Sequence, residues 1–348
     1  MATLSWSNPC VQTLSVSLLL SITYHLLPIT YHLSPMFSLL LSGLLTLVSL
    51  NSENLFDCQH DSLKNDWEWT PEGVNHWTHT RYWQKLNNIG REILACGEHD
   101  DDWHLPDLVA LCEVENDTAL HDLTRRSLLR NAHYEYVMTN SPDPRGIDVA
   151  LLYSPSTFRL LTWQALRVEP LEDMHPTRDI LYVCGVFREC DTLHVFVVHA
   201  PSRSGGEVVT RPHRMLVAHR LTEAVDSVRQ LHPLADVLVC GDFNDYSHDR
   251  SIRHFEANGL REVSKSARGS HGARGTYRFQ GQWGSLDHIF ASPSLASHLS
   301  DCFIFDAPFL LEDDETYGGV KPRRNYLGPR YQAGFSDHLP LVARFHLP

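Results

Sequence analysis

The residues in this sequence that can do chemistry stand in short polar groups, and nearly every group abuts an apolar run. Asn51-Ser52-Glu53-Asn54 follows Leu45–Leu50, and Glu113-Val114-Glu115-Asn116 follows Leu108–Cys112. His199-Ala200-Pro201-Ser202-Arg203 follows Leu193–Val198, and Gly241-Asp242-Phe243-Asn244-Asp245 follows Val237–Cys240. Asp287 and His288 lie inside Ser285–Ala291, and Ser336-Asp337-His338 directly precedes Leu339–Phe345. Carboxylates and the Asn carbonyl are hard oxygen ligands, suited to Mg²⁺ or Mn²⁺ and less selectively to Ca²⁺. The sequence has no cysteine–histidine set of the kind zinc prefers. Histidine adds proton transfer near neutral pH. Together these groups describe in-line attack of water on phosphorus, with His338 removing the proton from water.

Taken singly, each group has a plain structural alternative. Asn51 could be a turn residue and Glu113 a solvated acid at a strand end. Gly241 and Asn244 could serve a tight turn, His199 could be a satisfied core histidine, and Asp337-His338 could cap a strand. The combination is harder to explain that way, because all five groups sit at strand ends.

The apolar runs predict the elements that must position them. Short β-branched or aromatic stretches bounded by turn residues read as buried strands at Leu45–Leu50, Leu108–Leu111, Val149–Tyr153, Leu193–Val198, Val237–Cys240, Ser285–Ala291 and Leu339–Phe345. Tyr82, Leu86, Ile89 and Ile93 share one helical face, as do Val217, Leu221, Ala224, Val228 and Leu231. Strands and helices intermix without a repeat or linker, which predicts one α/β domain over residues 44–348. Strand ends converge on sheet rims, where rigid scaffolds carry active-site residues. Trp67, Trp69 and Trp77 are expected to pin down a long loop, with stacking on a base or sugar as the alternative.

A chain of 348 residues with 43% hydrophobic and 20% charged content is long enough for one large domain or two smaller ones. Its formal charge of −13 repels polyphosphate at long range, so tight non-specific duplex binding is disfavoured unless a local basic cleft overrides it. The 8 cysteines are scattered and form no disulfide framework or zinc spacing. Cys112 and Cys240 read as small buried hydrophobes, and Cys184 facing Cys190 across a hairpin is a minority alternative. Residues 1–50 contain no Asp, Glu, Lys or Arg. Residues 1–43 lack the basic start of a signal peptide, and Pro28 and Pro35 interrupt any membrane span. They are expected to be a poorly structured or hydrophobic leader outside the fold. The chain is expected to be cytoplasmic, or secreted or periplasmic if that leader acts as a signal.

Seven motifs taken together resemble a known family. They are NSENLFD at 51–57, LCEVEN at 111–116, RGIDVALLY at 145–153, HAPSRSGG at 199–206, GDFND at 241–245, GTYRFQGQWGSLDHIFAS at 275–292 and GFSDHLPL at 334–341. In order, over roughly residues 44–348, they look like the endonuclease/exonuclease/phosphatase superfamily, and most like its bacterial branch with ENLFD near the start. The resemblance implies a deoxyribonuclease I-like, four-layered α/β/β/α sandwich, two mixed sheets flanked by helices. It implies that Glu113 is the principal metal ligand, with Asn51, Glu53 and Asp337 on the metal or the attacked phosphate. Asp242 and Asn244 match the pair that positions nucleophile and phosphate. His338 matches the histidine that handles the proton, Asp287 the carboxylate that orients it, and His199 a second catalytic histidine, a candidate general acid. Four departures stand out: Ser52 for a usual Val, Ala200 for Trp, His288 for Gln or Tyr, and Ser247-His248 for a Pro-containing turn.

Arg203, Arg145 and Arg324 lie near the matched motifs and are expected on substrate phosphate oxygens, with Arg178 nearby; structural salt bridges are the alternative. Asp148 is expected to pair with His199 or Arg145. The expected function is Mg²⁺-dependent hydrolysis of phosphodiester bonds in DNA or RNA. The alternatives are a phosphatase or phosphodiesterase on a small phosphoester (nucleotide, phospholipid head group or inositol phosphate) and a silent binding protein. The last would be marked by loss of Glu113, Asp242 or His338, and all three are present. A monomer without a stable membrane partner is expected.

Overall fold

A computed structural model describes residues 43–99, 102–188 and 192–347. Apart from Gly43, the leader lies outside the described residues, and so does Cys190. Twelve strands form two six-stranded sheets. In chain order they are β1 (Gly43–Leu55), β2 (Leu108–Val114), β3 (Glu135–Met138), β4 (Asp148–Tyr153), β5 (Phe158–Leu166) and β6 (Ile180–Phe187). They continue as β7 (Thr192–His199), β8 (Asp236–Asp242), β9 (Arg261–Glu262), β10 (Asp287–Ala291), β11 (Leu299–Ile304) and β12 (Leu341–Leu347). The first sheet runs β11-β12-β1-β2-β4-β3 and the second β9-β10-β8-β7-β6-β5.

Each sheet is mixed, with one parallel pair at its centre: β1 with β2 and β7 with β8. Parallel neighbours end at the same rim, so the carboxyl ends of these four strands bring Asn51, Glu113, His199 and Asp242 to one edge of the molecule. The antiparallel β10 and β12 start there, next to Asp287 and His338.

Side-chain alternation builds the layers. Leu47, Ala110, Val195 and Leu238 fill the core between the sheets, as do Cys112 and Cys240. Their neighbours Val48 and Val109 face the other way, onto Tyr82, Leu86, Ile89 and Ile93 of helix α1 (His79–Ala95) and Leu120 and Leu123 of α2 (Asp117–Arg125). Phe196 and Val239 meet Val217, Leu221 and Ala224 of α3 (Glu207–Leu231) and Phe255 of α4 (Arg250–Ala257). The result is the four-layered α/β/β/α sandwich. Each large apolar side chain buried this way contributes about 1.5–3 kcal/mol.

The structure differs from the sequence expectation in places. Leu231 ends α3 and is exposed instead of closing its apolar stripe. β5 is an edge strand with mostly exposed residues, so it lacks the alternation that would reveal it. The last strand begins at Leu341, after Pro340, which has no N–H to give a ladder. Cys184 is buried opposite His194 of β7. Trp69 stacks on Phe56 with ring centroids 5.2 Å apart, and Trp77 donates Nε1 to the Phe56 carbonyl at 3.0 Å. Those two pin the loop as expected, whereas Trp67 is exposed. Among the described residues no helix is long and apolar enough to cross a membrane.

Helix α1 also buries Lys85, Asn88 and Glu92. Lys85 donates Nζ to the Phe335 carbonyl, and Asn88 donates Nδ2 to the Gly334 carbonyl at 2.6 Å. The helix thereby clamps the segment that leads into Asp337-His338. Burial pushes the Glu92 carboxyl up from 4.5 to about 8, against the opposing pull of Lys85. An unfolded chain releases this proton near 4.5 and the folded chain near 8, so its stabilising effect is complete below the first value and is lost as pH rises through the second. Glu92→Gln is therefore expected to stabilise the protein by roughly 2–4 kcal/mol at about pH 9 and by little at about pH 4, measured by urea unfolding. Parallel stability–pH curves for variant and wild type would contradict this placement of Glu92.

Candidate active site

The polar groups at the rim depend on departures from regular strand geometry. The β1–β2 register shifts between Asn51 and Leu55, where Glu53 and Asn54 have φ of 48° and 58°. The β2–β4 register shifts between Cys112 and Val114, where Glu113 has φ 62°. These bulges re-aim side chains that a regular strand would send elsewhere. Left-handed conformations of this kind cost about 1–3 kcal/mol each and gather at functional sites. Ser52 ties the two bulges together by donating Oγ to the Cys112 carbonyl at 2.7 Å, a bond that Val could not make. In the other sheet Gly241 has φ 134°, and an added Cβ would lie 1.9 Å from the Val198 carbonyl oxygen. Only glycine fits that close approach of β8 to the Val198 carbonyl of β7.

Asp242 is the centre of the arrangement. Its Oδ1 accepts from Asn244 N at 2.8 Å, and its Oδ2 accepts from Asn51 Nδ2 at 3.0 Å, which joins the two sheets. Nε2 of His199 lies 3.6 Å from Oδ2 and Nε2 of His338 4.0 Å from it. Glu113 stands across the cleft, its Oε1 3.9 Å from His199 Nε2 and its Oε2 accepting from Asn54 N at 2.9 Å. Asn244 donates Nδ2 to the Ala200 carbonyl at 3.1 Å. Asn51, Glu113, His199, Asp242, Asn244, Asp337 and His338 all line one cavity of about 510 Å³, with Arg145 at its edge.

His338 is held by its far nitrogen. Nδ1 lies 2.7 Å from Oδ2 of Asp287, which also accepts from Thr276 Oγ1 at 2.5 Å. Ser336 Oγ donates to the Asn51 carbonyl at 2.6 Å and accepts from His338 N at 3.1 Å, seating the loop on β1. Burial alone would lower the His338 imidazole, but the Asp287 carboxylate, with Asp242 and Asp337, outweighs it and holds the ring well above its ordinary range. His199 goes the other way: burial, then the Arg178 and Arg145 guanidiniums and His338, hold it well below. Burial pushes Asp242 up to about 7, opposed by the His338 charge. The surroundings thus push the two histidines in opposite directions, His338 toward the cation and His199 toward the neutral ring.

Other expected residues are placed differently. The Glu53 carboxylate does not line the cavity. It turns back to accept from Asn325 N at 2.6 Å, with Arg324 Nε 3.4 Å away, because the left-handed turn at Glu53 aims it behind the rim. Burial, with the Asp337 charge, pushes it up to about 7. Arg203 reaches the rim, but its guanidinium is taken up by Asp245 and Asp249 at 3.0 Å each and by Glu207 at 2.5 Å. Arg324 is bound to Asp337 at 3.0 Å. Arg178 is a structural residue, paired with Asp143 at 2.9 Å and donating to the His199 and Ala200 carbonyls. Asp148 pairs with neither His199 nor Arg145; Ser141 and Thr139 hydroxyls donate to it at 2.6 Å. Arg145 remains, half-exposed, donating to Asn54 Oδ1 at 2.6 Å and lying 4.0 Å from Glu113.

The donor set fits a hard divalent cation: Glu113, Asn51 and Asp337 offer oxygen to the cavity. The tighter trio Asp242, Asp287 and His338 has atoms within 4.8 Å of one another. It fits proton transfer better than a metal cage, because the His338 ring stands between the two carboxylates with one nitrogen toward each. Asp287→Asn is expected to move the His338 titration, followed by NMR of its ring in metal-free protein, to lower pH. An unmoved midpoint would show that Asp287 does not set the charge on that ring.

Comparisons with known proteins agree with this fold. The endonuclease/exonuclease/phosphatase family profile matches residues 46–346. An endonuclease/exonuclease/phosphatase family protein from Bacteroides thetaiotaomicron superposes with a TM-score of 0.59 at 16% identity, covering 88% of this chain and 99% of that one. A mannosyl-6-phosphatase from the same organism gives 0.58 at 17% identity, covering 86% and 98%. The human Nocturnin catalytic domain, solved with a bound sulfate, gives 0.53 at 19% identity, covering 87% and 95%. Among curated protein sequences none matches the chain. Enzymes of this family use divalent metal ions, in keeping with the oxygen donors at the rim. The chain belongs to the endonuclease/exonuclease/phosphatase family and is a hydrolase of phosphoester bonds.

Proposed function

We propose that the cavity around Asp242 takes a single phosphoester group and directs water in line onto its phosphorus. The observation that supports this most is the meeting of Asn51, Glu113, His199, Asp242 and His338 from both sheets around one Oδ2 atom and one cavity. Bound at Glu113, Asn51 and Asp337, Mg²⁺ or Mn²⁺ would neutralise charge developing on the phosphate. In its carboxylate form, which the His338 charge favours, Asp242 is placed to accept the proton of the attacking water. Asn244 and Asn51 fix the direction of that carboxylate. His338, anchored through Nδ1, presents Nε2 as a donor to a phosphate oxygen. Neutral His199 lies between Glu113 and Asp242, where it can relay the proton toward the leaving group. This division of labour reverses the expected one, in which His338 itself removes the proton, and the opposite push on the two histidines favours it.

A small phosphoester is the better substrate reading. Long duplex contacts need several free cations, and Arg203 and Arg324 are occupied by carboxylates. A nucleic-acid end is the second reading, favoured by the aromatic edge of the cavity, where Tyr277 lies 4.9 Å from the His338 ring and Phe279 is 59% exposed. A panel of bis-p-nitrophenyl phosphate, nucleotides, phospholipid and supercoiled DNA, each with Mg²⁺ or Mn²⁺, separates the two.

Asp242→Ala and His338→Ala are each expected to lower kcat by ~10²–10⁴-fold while the protein stays folded. Near-wild-type turnover in either would refute the site. The pH profile divides the two histidine roles. If His338 must be cationic, activity is lost on the alkaline side as it gives up its proton. If it must be neutral, activity is lost on the acid side. The limb that disappears in His338→Gln identifies the role.

A further inference from the structure

The turn carrying Asp242 and Asn244 is held from behind by a buried pair that none of these steps uses. His288 follows Asp287 in β10, and successive side chains leave a strand on opposite faces. Asp287 faces His338, while His288 points into the outer layer, where the rings of Phe243 and Phe290 lie 5.6 and 6.1 Å from it. The side chains of His288 and of Glu262, on β9, are 1% and 0% exposed. His288 Nδ1 lies 2.8 Å from Glu262 Oε1, and Nε2 lies 2.8 Å from the carbonyl oxygen of Asp245.

A carbonyl can only accept, and so can an ionised carboxylate. Glu262 Oε1 also accepts from Ser247 Oγ at 2.7 Å, so that oxygen is an acceptor twice over. Nε2 therefore donates to the Asp245 carbonyl, and Nδ1 stands against Glu262. The carboxylate of Asp245 is held as firmly, by Arg214 Nε at 2.7 Å, Arg203 Nη1 at 3.0 Å and Ser251 Oγ at 2.5 Å. Asp245 is thus fixed at both its carbonyl and its side chain. It directly follows Asn244, whose φ of 52° is a conformation that surrounding contacts must maintain.

We propose that His288, paired with Glu262, is a positioning residue for catalysis, clamping the Asp245 carbonyl so that Asp242 and Asn244 face the phosphate. This rests on the phosphoester-hydrolysing reading of the Asp242 cavity. Removing His288 alone would strand a buried carboxylate, so the informative variant is His288→Leu with Glu262→Leu. His288→Gln, by contrast, keeps one donor for Asp245. The double variant is expected to lower kcat on bis-p-nitrophenyl phosphate at least about tenfold with KM little changed. Deuterium exchange over residues 241–247 should quicken about tenfold, with the rest of β8 unchanged. His288→Gln should recover most of both. His288→Asn, too short to reach the carbonyl, supplies the same contrast if the double variant does not fold.

Wild-type kcat and unchanged exchange in the donor-less variant would overturn the proposal. So would equal losses in the donor-less and Gln variants that simply follow Tm, since those mark a packing role. If the wild type hydrolyses no phosphoester in the panel, the enzyme reading fails, and the exchange contrast still decides whether the clamp exists.

Discussion

A carboxylate sealed at the seam of two sheets is the constraint on which the rest of this structure depends. Asp242 is 2% exposed, and an ion there is costly unless every lone pair has a partner. Asn244 N and Asn51 Nδ2 supply two hydrogen bonds, one from its own sheet and one from the facing sheet. His199 and His338 stand at 3.6 and 4.0 Å from the same oxygen. The sheets cannot slide past each other without stranding this group, so the stability of the sandwich and the geometry of the site are one requirement.

The supports follow from that centre. Each sheet ends its central parallel pair at the shared rim, and bulges at Asn51–Leu55 and Cys112–Val114 re-aim the last side chains, Glu113 into the cavity and Glu53 behind it. The left-handed residues at these bulges carry strain that Ser52, Asn54 and Ser336 offset by hydrogen bonds between neighbouring segments. A low-dielectric cavity then amplifies small differences in partner. The Asp287 carboxylate favours the charged ring at His338, while burial, with Arg178 and Arg145, favours the neutral ring at His199.

Much of this was legible in the residues. Strand runs with polar ends announced the rim, because buried strands are apolar and their ends are not. The helical stripes of α1 and α3 announced the outer layers. Asp242, Glu113 and His338 stood out as polar residues at the ends of apolar strand runs, and Asp287 through the motif resemblance. Arginines misled because a guanidinium suits phosphate and carboxylate equally, and sequence spacing does not show that Asp245 and Asp249 reach Arg203 first. Glu53 misled because a left-handed backbone reverses the direction that strand alternation predicts. Lys85 and Glu262 went unnoticed, since a charged residue inside an amphipathic pattern or a two-residue edge strand looks solvated until the fold buries it.

Residues that act on one phosphate must lose rate together. The most direct measurement is kcat/KM on bis-p-nitrophenyl phosphate for Asn51→Ala, His338→Ala and the double variant, since these residues come from different strands and reach Asp242 from different sides. Convergence on a single phosphate predicts strong non-additivity, with the double variant little worse than the poorer single one. Losses that simply multiply would mean that the two groups serve separate places, and that no common site exists at the seam.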